Sequence, residues 1–163
     1  MSLTIYNFKG GVGKTSIALN LALTLDYGIV TNDYYSPIDK VISNVIKLEP
    51  THVMPSLPPN ADIIFDLGGH IDERAISAVK QSSCILIPTT NEFSVLQVTI
   101  NAIKQIEHHS NKIAVIANMV ERNKGDLESI QDAIRTFFRY PIFELKKSEA
   151  LKDIYIHKLS IKD

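Results

Sequence analysis

Short apolar runs alternate with amphipathic stretches along the whole chain. The apolar runs predict buried strands at 3–8, 29–33, 61–66, 83–88, 113–117 and 141–143. Apolar residues at helical spacing predict helices at 16–25, 38–46, 72–80, 94–109 and 126–138, and Ser148 would begin a short final helix. The stretch 49–60 carries four prolines and predicts a connection. Near-continuous apolar strands separated by helices indicate an α/β fold, a doubly wound, mainly parallel sheet with helices on both faces.

Length and composition narrow the classes of function. The 163 residues are most simply one domain, 1–163, and a net charge of −1 gives no overall attraction to a polyanion. A single cysteine, Cys84, excludes an intramolecular disulfide and favours a reducing compartment. No apolar run approaches the ~18 residues of a membrane span. Because the first strand pattern starts at residue 3 without a signal peptide, we expect a cytoplasmic protein.

The stretch 8–16, Phe-Lys-Gly-Gly-Val-Gly-Lys-Thr-Ser, lies between the first predicted strand and the first helix. Strand, glycine-rich loop and helix are the context that a phosphate-binding loop requires, because backbone N–H groups and the helix N-terminus then surround a phosphate. The lysine would reach the β- and γ-phosphates. The strict motif has glycine where Phe8 stands, and a flexible glycine turn with solvated lysines is the alternative. The nucleotide-binding residues would be Gly10, Gly11, Val12, Gly13, Lys14, Thr15 and Ser16.

This loop resembles the deviant phosphate loop of the ParA/MinD family of ATPases, which position DNA and other cargo in bacterial cells. The family opens the loop with a second, signature lysine, which matches Lys9 here. The resemblance implies a P-loop NTPase fold and an ATP-dependent homodimer. In that sandwich dimer Lys9 would reach the ATP of the partner subunit and, with Lys14, act in hydrolysis.

Asp66 ends the third predicted strand and is followed by Leu67, Gly68 and Gly69. This is the position of a Walker B carboxylate, which would hold Mg²⁺ together with the Thr15 hydroxyl. The two glycines would give flexibility to a loop that senses the γ-phosphate. An aspartate that only forms the turn is the alternative.

Asp33 ends the second predicted strand. The family usually closes this strand with Asp-x-Asp-Pro-Gln, whose second aspartate orients the attacking water, and the resemblance gives that role to Asp33. The sequence departs from the pattern at Thr31, which replaces the first aspartate, and at Tyr34 and Tyr35, which replace Pro-Gln. An ordinary turn aspartate is the alternative. Without an arginine or a partner to stabilise the transition state, hydrolysis should be slow.

Asn118 ends the fifth predicted strand, where related nucleotidases place an asparagine against the base; a plain turn residue is the alternative. A guanine site would show Asn-Lys-x-Asp, but Met119 and Glu121 occupy the matching positions. ATP is therefore favoured over GTP. The stretch 146–150 also resembles the family's loop near the adenine.

Basic residues gather toward the C-terminus. The family's dimers bind non-specific DNA through such residues, although scattered solvated lysines would give the same pattern. The stretch 151–161 mixes apolar and basic residues without a clean apolar stripe, so membrane binding is the weaker interpretation. The basic set consists of Arg135, Arg139, Lys146, Lys147, Lys152 and Lys158.

Two functions follow from these residues. The first is a ParA-like ATPase of plasmid or chromosome partition, which uses ATP and Mg²⁺, dimerises with ATP, binds non-specific DNA and is stimulated by a ParB-like partner. The second is a nucleotide-dependent interaction module that positions a protein or membrane cargo with little turnover.

Overall fold

The computed structural model describes residues 1–121 and 125–148. Its strands are β1 (Ser2–Asn7), β2 (Gly28–Thr31), β3 (Val45–Lys47), β4 (Ile63–Gly68), β5 (Cys84–Thr89), β6 (Ile113–Val120) and β7 (Ile142–Lys146). Its α-helices are α1 (Lys14–Leu25), α2 (Glu73–Gln81), α3 (Phe93–Glu107) and α4 (Asp126–Arg135), and a 3₁₀ helix covers Pro37–Lys40.

In the described part of the chain the seven strands form one sheet in the order β3-β2-β4-β1-β5-β6-β7. Every pair is parallel. The chain builds β2, β3 and β4 on one side of β1 and then crosses to build β5, β6 and β7 on the other. Such a reversal of strand order opens a crevice at the carboxyl ends of the central strands, where α/β proteins bind their ligands.

Two hydrophobic cores cover the two faces of this sheet. Neighbouring residues of a strand point to opposite faces, and accordingly Ile5 belongs to one core and Tyr6 to the other. Helix α1 packs on the face that contains Ile5, whereas α2, α3 and α4 pack on the face that contains Tyr6. Each fully buried Leu or Ile contributes about 1.5–3 kcal/mol. The predicted doubly wound α/β fold with helices on both faces is confirmed.

The predicted helix at 38–46 is wrong. Only Pro37–Lys40 is helical, and Val45–Lys47 is an edge strand whose residue Ile46 pairs with Val30 of β2. Apolar residues at helical spacing suggested the helix, but all five of them are β-branched Val or Ile. Such side chains fit a pleated, half-buried strand well, and sheet pairing outweighs the weak helical periodicity.

The proline-rich connection is present as predicted and runs over α2. The Gln81 side chain accepts a hydrogen bond from Leu57 N (2.7 Å) and donates one to the Pro55 carbonyl (3.2 Å). Helix α4 begins at Asp126 after Gly125 and ends at Arg135 rather than near 138. The predicted final helix from Ser148 and the stretch 151–161 fall outside the described residues, apart from Ser148 itself. Within residues 1–121 and 125–148 no helix combines the length and apolar character needed to cross a membrane.

Candidate functional site

The predicted phosphate loop joins β1 to α1 at the carboxyl edge of the sheet. Gly11 and Gly13 adopt positive φ angles of 79° and 90°, and Gly13 is the N-cap of α1. No side chain caps α1, and its first turn carries no acidic residue. The first N–H groups of a helix have no partner within the helix. They lie here where a phosphate would accept their hydrogen bonds.

Asn118 lies directly beneath this loop. Its amide Nδ2 donates to the Val12 carbonyl (2.9 Å), and its Oδ1 accepts from Met119 N (2.9 Å). Asn118 is buried, and a Cβ added at Gly13 would overlap its amide. The structure therefore shows Asn118 supporting the loop, a role that the sequence analysis missed. Its contact with a base stays a prediction.

Thr15, Asp66 and Lys14 meet at the centre of the site. The Thr15 hydroxyl donates to Asp66 Oδ2 (2.8 Å), and Lys14 Nζ donates to the Lys9 carbonyl (2.8 Å). Burial raises the pKa of Asp66 to about 6, because it outweighs the hydrogen bond from Thr15 and the charge of Lys14. Burial also lowers the pKa of Lys14, although the charges of Asp66 and Asp33 oppose this shift.

The pair of Thr15 and Asp66 fits Mg²⁺. A hydroxyl and a carboxylate are oxygen ligands, which Mg²⁺ prefers. With one carboxylate and one hydroxyl, the pair would leave room for the waters and phosphate oxygens that Mg²⁺ keeps as its other ligands. Among the residues described, no cluster of three or more His, Cys, Asp or Glu side chains could hold a metal ion.

Thr31 and Asp33 stand at the end of β2. Thr31 is fully buried, and its Oγ1 accepts from Asp33 N (3.1 Å). Thr31 is the register partner of Asp66 in β4, and its hydroxyl lowers the pKa of that carboxyl. Thr31 thus replaces the acidic residue of the family pattern with a neutral contact that supports Asp66 and shapes the turn before Asp33.

A cleft with a volume of about 630 Å³ lies over this centre. Its lining includes Lys14, Thr15, Ser16, Asp33 and Asp66, so most of the predicted site residues come together. Asn32, Gly68 and Gly69 also line it. No local pattern in the sequence indicates a role for Asn32, because its partner, Gly68, is 36 positions away along the chain.

Lys9 lies on the other side of the phosphate loop. It lines a neighbouring cavity of about 480 Å³ together with Glu92, Glu121 and Lys147. Lys147 Nζ and Glu121 Oε1 are 2.7 Å apart. This cavity shares Gly10, Gly11 and Met119 with the cleft, so Lys9 lies beside the space that contains Lys14.

The described members of the basic set are all exposed: Arg135, Arg139, Lys146 and Lys147. Arg139 donates to the Arg135 carbonyl, and Lys147 pairs with Glu121. Arg135 also donates to Gln131 Oε1 (3.4 Å), so three of these cations already have partners in the chain. Lys152 and Lys158 lie outside the described residues.

Several solved structures share this architecture. McdA from Cyanothece matches with a TM-score of 0.73 at 14% identity, over 99% of this chain and 91% of that chain. The septum site-determining protein MinD from Pyrococcus horikoshii, complexed with Mg-ADP, matches with a TM-score of 0.71 at 16% identity, over 98% of this chain and 86% of that chain. A ParA family ATPase from Chlorobium tepidum matches with a TM-score of 0.69 at 18% identity, over 95% of this chain and 88% of that chain.

No protein-family model and no curated protein sequence matches the chain. At these low identities the structural matches establish the fold. The chain therefore has the α/β fold of the ParA/MinD-type proteins, as the resemblance in the phosphate loop predicts.

Proposed function

We propose that this chain is a ParA-like ATPase that binds ATP and Mg²⁺, dimerises with ATP and acts in plasmid or chromosome partition. The observation that carries the proposal is the centre of the cleft. There the Thr15 hydroxyl lies 2.8 Å from the Asp66 carboxylate, beside Lys14 at the uncapped start of α1. Cation, hydroxyl, carboxylate and helix N-terminus are the groups that a nucleoside triphosphate and Mg²⁺ require.

The phosphate loop binds the nucleotide through its backbone. Residues 10–13 and the first turn of α1 present N–H groups to the phosphates. The Lys14 ammonium, which donates to the Lys9 carbonyl, donates to phosphate oxygens instead when the nucleotide binds. Thr15 and Asp66 would hold Mg²⁺, which neutralises negative charge on the phosphates when bound. In support, MinD from P. horikoshii, which shares the fold, was solved with Mg-ADP.

Asp33 is the residue that orients the attacking water. It is exposed at the wall of the cleft that contains Lys14 and Asp66, where its carboxylate is accessible to solvent. No arginine is among the described residues that line this cleft. Turnover is therefore slow in the isolated protein, and a ParB-like partner accelerates it by completing the charge stabilisation.

Lys9 acts between subunits. It lines the cavity that adjoins the cleft of Lys14, and this position at the edge of the nucleotide site supports a contact with a partner subunit. In a two-fold symmetric dimer its ammonium meets the γ-phosphate of the partner's ATP. This contact offsets the repulsion between two triphosphates held face to face.

Adenine is the base that we propose. Met119 lines the cleft next to Gly13 and Ser16, and neither Met119 nor Glu121 gives the Asn-Lys-x-Asp pattern of a guanine site. Asn118 holds the phosphate loop through the Val12 carbonyl, and it would contact adenine itself only if its amide exchanged one of its present partners.

In the first hypothesis the protein binds non-specific DNA. The exposure of Arg135, Arg139 and Lys146 supports it, since exposed cations bind DNA phosphates by releasing counterions. The existing partners of Arg139 and Lys147 favour the alternative, a nucleotide-dependent interaction module for a protein or membrane cargo. Both functions share the nucleotide site and differ in the cargo.

One set of experiments tests the proposal and separates the two hypotheses. Light scattering with Mg²⁺ and ATP, ADP, GTP or no nucleotide should show a dimer with ATP alone, and phosphate release should be slow. DNA retention measured at increasing salt should depend on ATP, and replacing Lys146, Lys147 and Lys152 by Ala should reduce the logarithmic salt slope by up to about 3. An ATP-dependent dimer without DNA retention supports the alternative, and failure to bind ATP refutes both.

A further inference from the structure

We infer that Asn32 is a positioning residue that couples the two loops flanking the cleft, and thereby places Asp33 relative to Lys14. The inference rests on the proposed function, because it assigns Asn32 a part in the hydrolysis proposed for this site. Asn32 is the residue between Thr31 and Asp33, at the end of β2.

The Asn32 side chain forms a two-point contact with Gly68, the last residue of β4. Its Nδ2 donates to the Gly68 carbonyl (2.8 Å), and its Oδ1 accepts from Gly68 N (3.0 Å). Its backbone N–H also points to the Asp66 carbonyl, at 3.4 Å. These three contacts tie the segment that contains Asp33 to the end of β4.

The chemistry of asparagine explains this geometry. Strands β2 and β4 pair in parallel, and their last register pair is Thr31 with Asp66. Beyond that pair the Asn32 carboxamide, which has one acceptor and a donor side by side, takes the place of a backbone peptide group. It therefore extends the pairing of the two strands past their ends. A carboxylate offers only acceptors when ionised, and an aliphatic side chain offers neither group.

Gly68 lies next to the phosphate-binding lysine. A Cβ added at Gly68 would stand 3.3 Å from Lys14 Cε and 3.7 Å from its Nζ. On the next residue, the Gly69 carbonyl accepts a hydrogen bond from the buried Tyr6 hydroxyl (2.9 Å). Gly68 thus ends β4 between Asn7 of β1, its register partner, and Asn32, and the loop that follows is held at Gly69 by the Tyr6 hydroxyl. Lys14 lies beside Gly68 on the side where a Cβ would stand.

A direct route therefore connects the phosphates to the residue that orients water. When Lys14 moves from the Lys9 carbonyl to a phosphate, the space beside Gly68 changes, and Gly68 passes this change through its two hydrogen bonds to Asn32. Asp33 follows Asn32 in the chain and moves with it. Asn32 makes the position of Asp33 depend on what Lys14 binds.

Two substitutions separate the halves of the contact. Asn32→Leu keeps the approximate shape and removes both hydrogen bonds, whereas Asn32→Asp keeps the acceptor for Gly68 N and removes the donor to the Gly68 carbonyl. Asn60→Leu and Asn60→Asp are matched controls, because Asn60 is exposed and precedes the amino end of β4, away from the cleft. The measurements are turnover at saturating ATP, affinity for ADP, and amide hydrogen exchange at Gly68 and Asp33 by NMR.

In Asn32→Leu we expect turnover to fall at least about tenfold while ADP affinity stays within about twofold, since a small misplacement of a reacting group slows chemistry more than binding. Exchange at Gly68 and Asp33 should accelerate together. Asn32→Asp should lose turnover as well but keep Gly68 N–H protected. A merely structural role would weaken ADP binding in proportion to turnover, and that result overturns the inference, as does wild-type turnover in Asn32→Leu.

The same measurements distinguish a failure of this inference from a failure of the proposed function. If the wild-type protein binds ATP without hydrolysing it, the proposed ATPase activity is refuted. The ratio of ATP affinity to ADP affinity is then measured in place of turnover. An equal ratio in wild type and Asn32→Leu then overturns the coupling. If no nucleotide binds, amide hydrogen exchange tests the coupling by itself. Unchanged exchange at Asp33 in Asn32→Leu would then show that Asn32 does not couple the segment of Asp33 to Gly68.

Discussion

The phosphate loop and the segment Thr31–Asp33 line the same cleft but obtain their conformations in different ways. The loop is shaped locally by glycines with positive φ between β1 and α1, and Asn118 supports it from below. The segment after β2 is held by distant residues, since Asn32 contacts Gly68 and Thr31 contacts Asp66. A motif that folds locally keeps its family pattern, whereas a segment held by tertiary contacts can change its residues if the contacts are replaced.

The largest effect on nucleotide affinity should come from a substitution in the phosphate loop. Lys14→Ala removes the cation at the start of α1 and should lower ATP and ADP affinity at least about 100-fold, since charge-assisted hydrogen bonds to phosphate contribute several kcal/mol together. Titration with a fluorescent nucleotide measures this loss. Lys80→Ala, an exposed lysine of α2, is the control. Wild-type affinity in Lys14→Ala would rule out the phosphate-loop assignment.

A substitution in the segment after β2 should lower the rate of ATP hydrolysis and leave nucleotide affinity nearly unchanged. Asp33→Ala should lower the rate of phosphate release about 100-fold, the scale of losing a group that assists proton transfer, while ATP affinity stays within about threefold. Asp132→Ala, on the exposed side of α4, is the control. If phosphate release is unchanged, Asp33 is a turn residue and another group orients the water.

Asp66 contacts both regions and should make them sensitive to pH. Burial raises its pKa from 3.8 to about 6, so the folded chain favours the protonated carboxyl. Its contribution to the free energy of unfolding is complete below pH 3.8 and is lost as the pH rises through about 6, a change of about 3 kcal/mol. Unfolding by urea at several pH values should show this difference between wild type and Asp66→Asn.

Binding should depend on the same carboxyl in the opposite direction. Mg²⁺ requires the ionised form, so the gain in ATP affinity on adding Mg²⁺ should grow about tenfold as the pH rises from 5 to 7, one proton being displaced for each metal ion bound. Asp66→Asn should lack this gain, and Asp132→Asn should keep it. A Mg²⁺ effect that is the same at all pH values would remove Asp66 from the metal site.

The smallest effect should come from the residues that depart most visibly from the family pattern. Tyr35 is 92% exposed, and its ring meets Tyr34 at right angles with centroids 5.5 Å apart. Replacing both by Ala should change the free energy of unfolding by less than about 0.5 kcal/mol and leave nucleotide affinity within about twofold. A tenfold loss of affinity would place this aromatic pair in contact with the nucleotide.

The same comparison explains what could be predicted from the sequence. Local patterns predicted the phosphate loop, the strand that carries Asp66 and the doubly wound fold, because strand, glycine turn and helix follow one another along the chain. The strand itself runs on to Gly68, two residues past its predicted end at Asp66. The contact of Asn32 with Gly68 joins residues 36 positions apart and leaves no local signal. The edge strand Val45–Lys47 was missed for a related reason, since its conformation comes from pairing with β2.

The central claim is that ATP closes two copies of this chain around two nucleotides through Lys9. Light scattering with Mg²⁺ and ATP, together with nucleotide titration on the same preparation, tests it in wild type and Lys9→Ala. The contact that Lys9 makes with Lys14 uses its backbone carbonyl, so the substitution leaves that hydrogen bond available. We predict that wild type dimerises with ATP and not with ADP, and that Lys9→Ala binds ATP within a few-fold of wild type yet stays monomeric. A Lys9→Ala protein that dimerises with ATP as wild type does would contradict the sandwich mechanism.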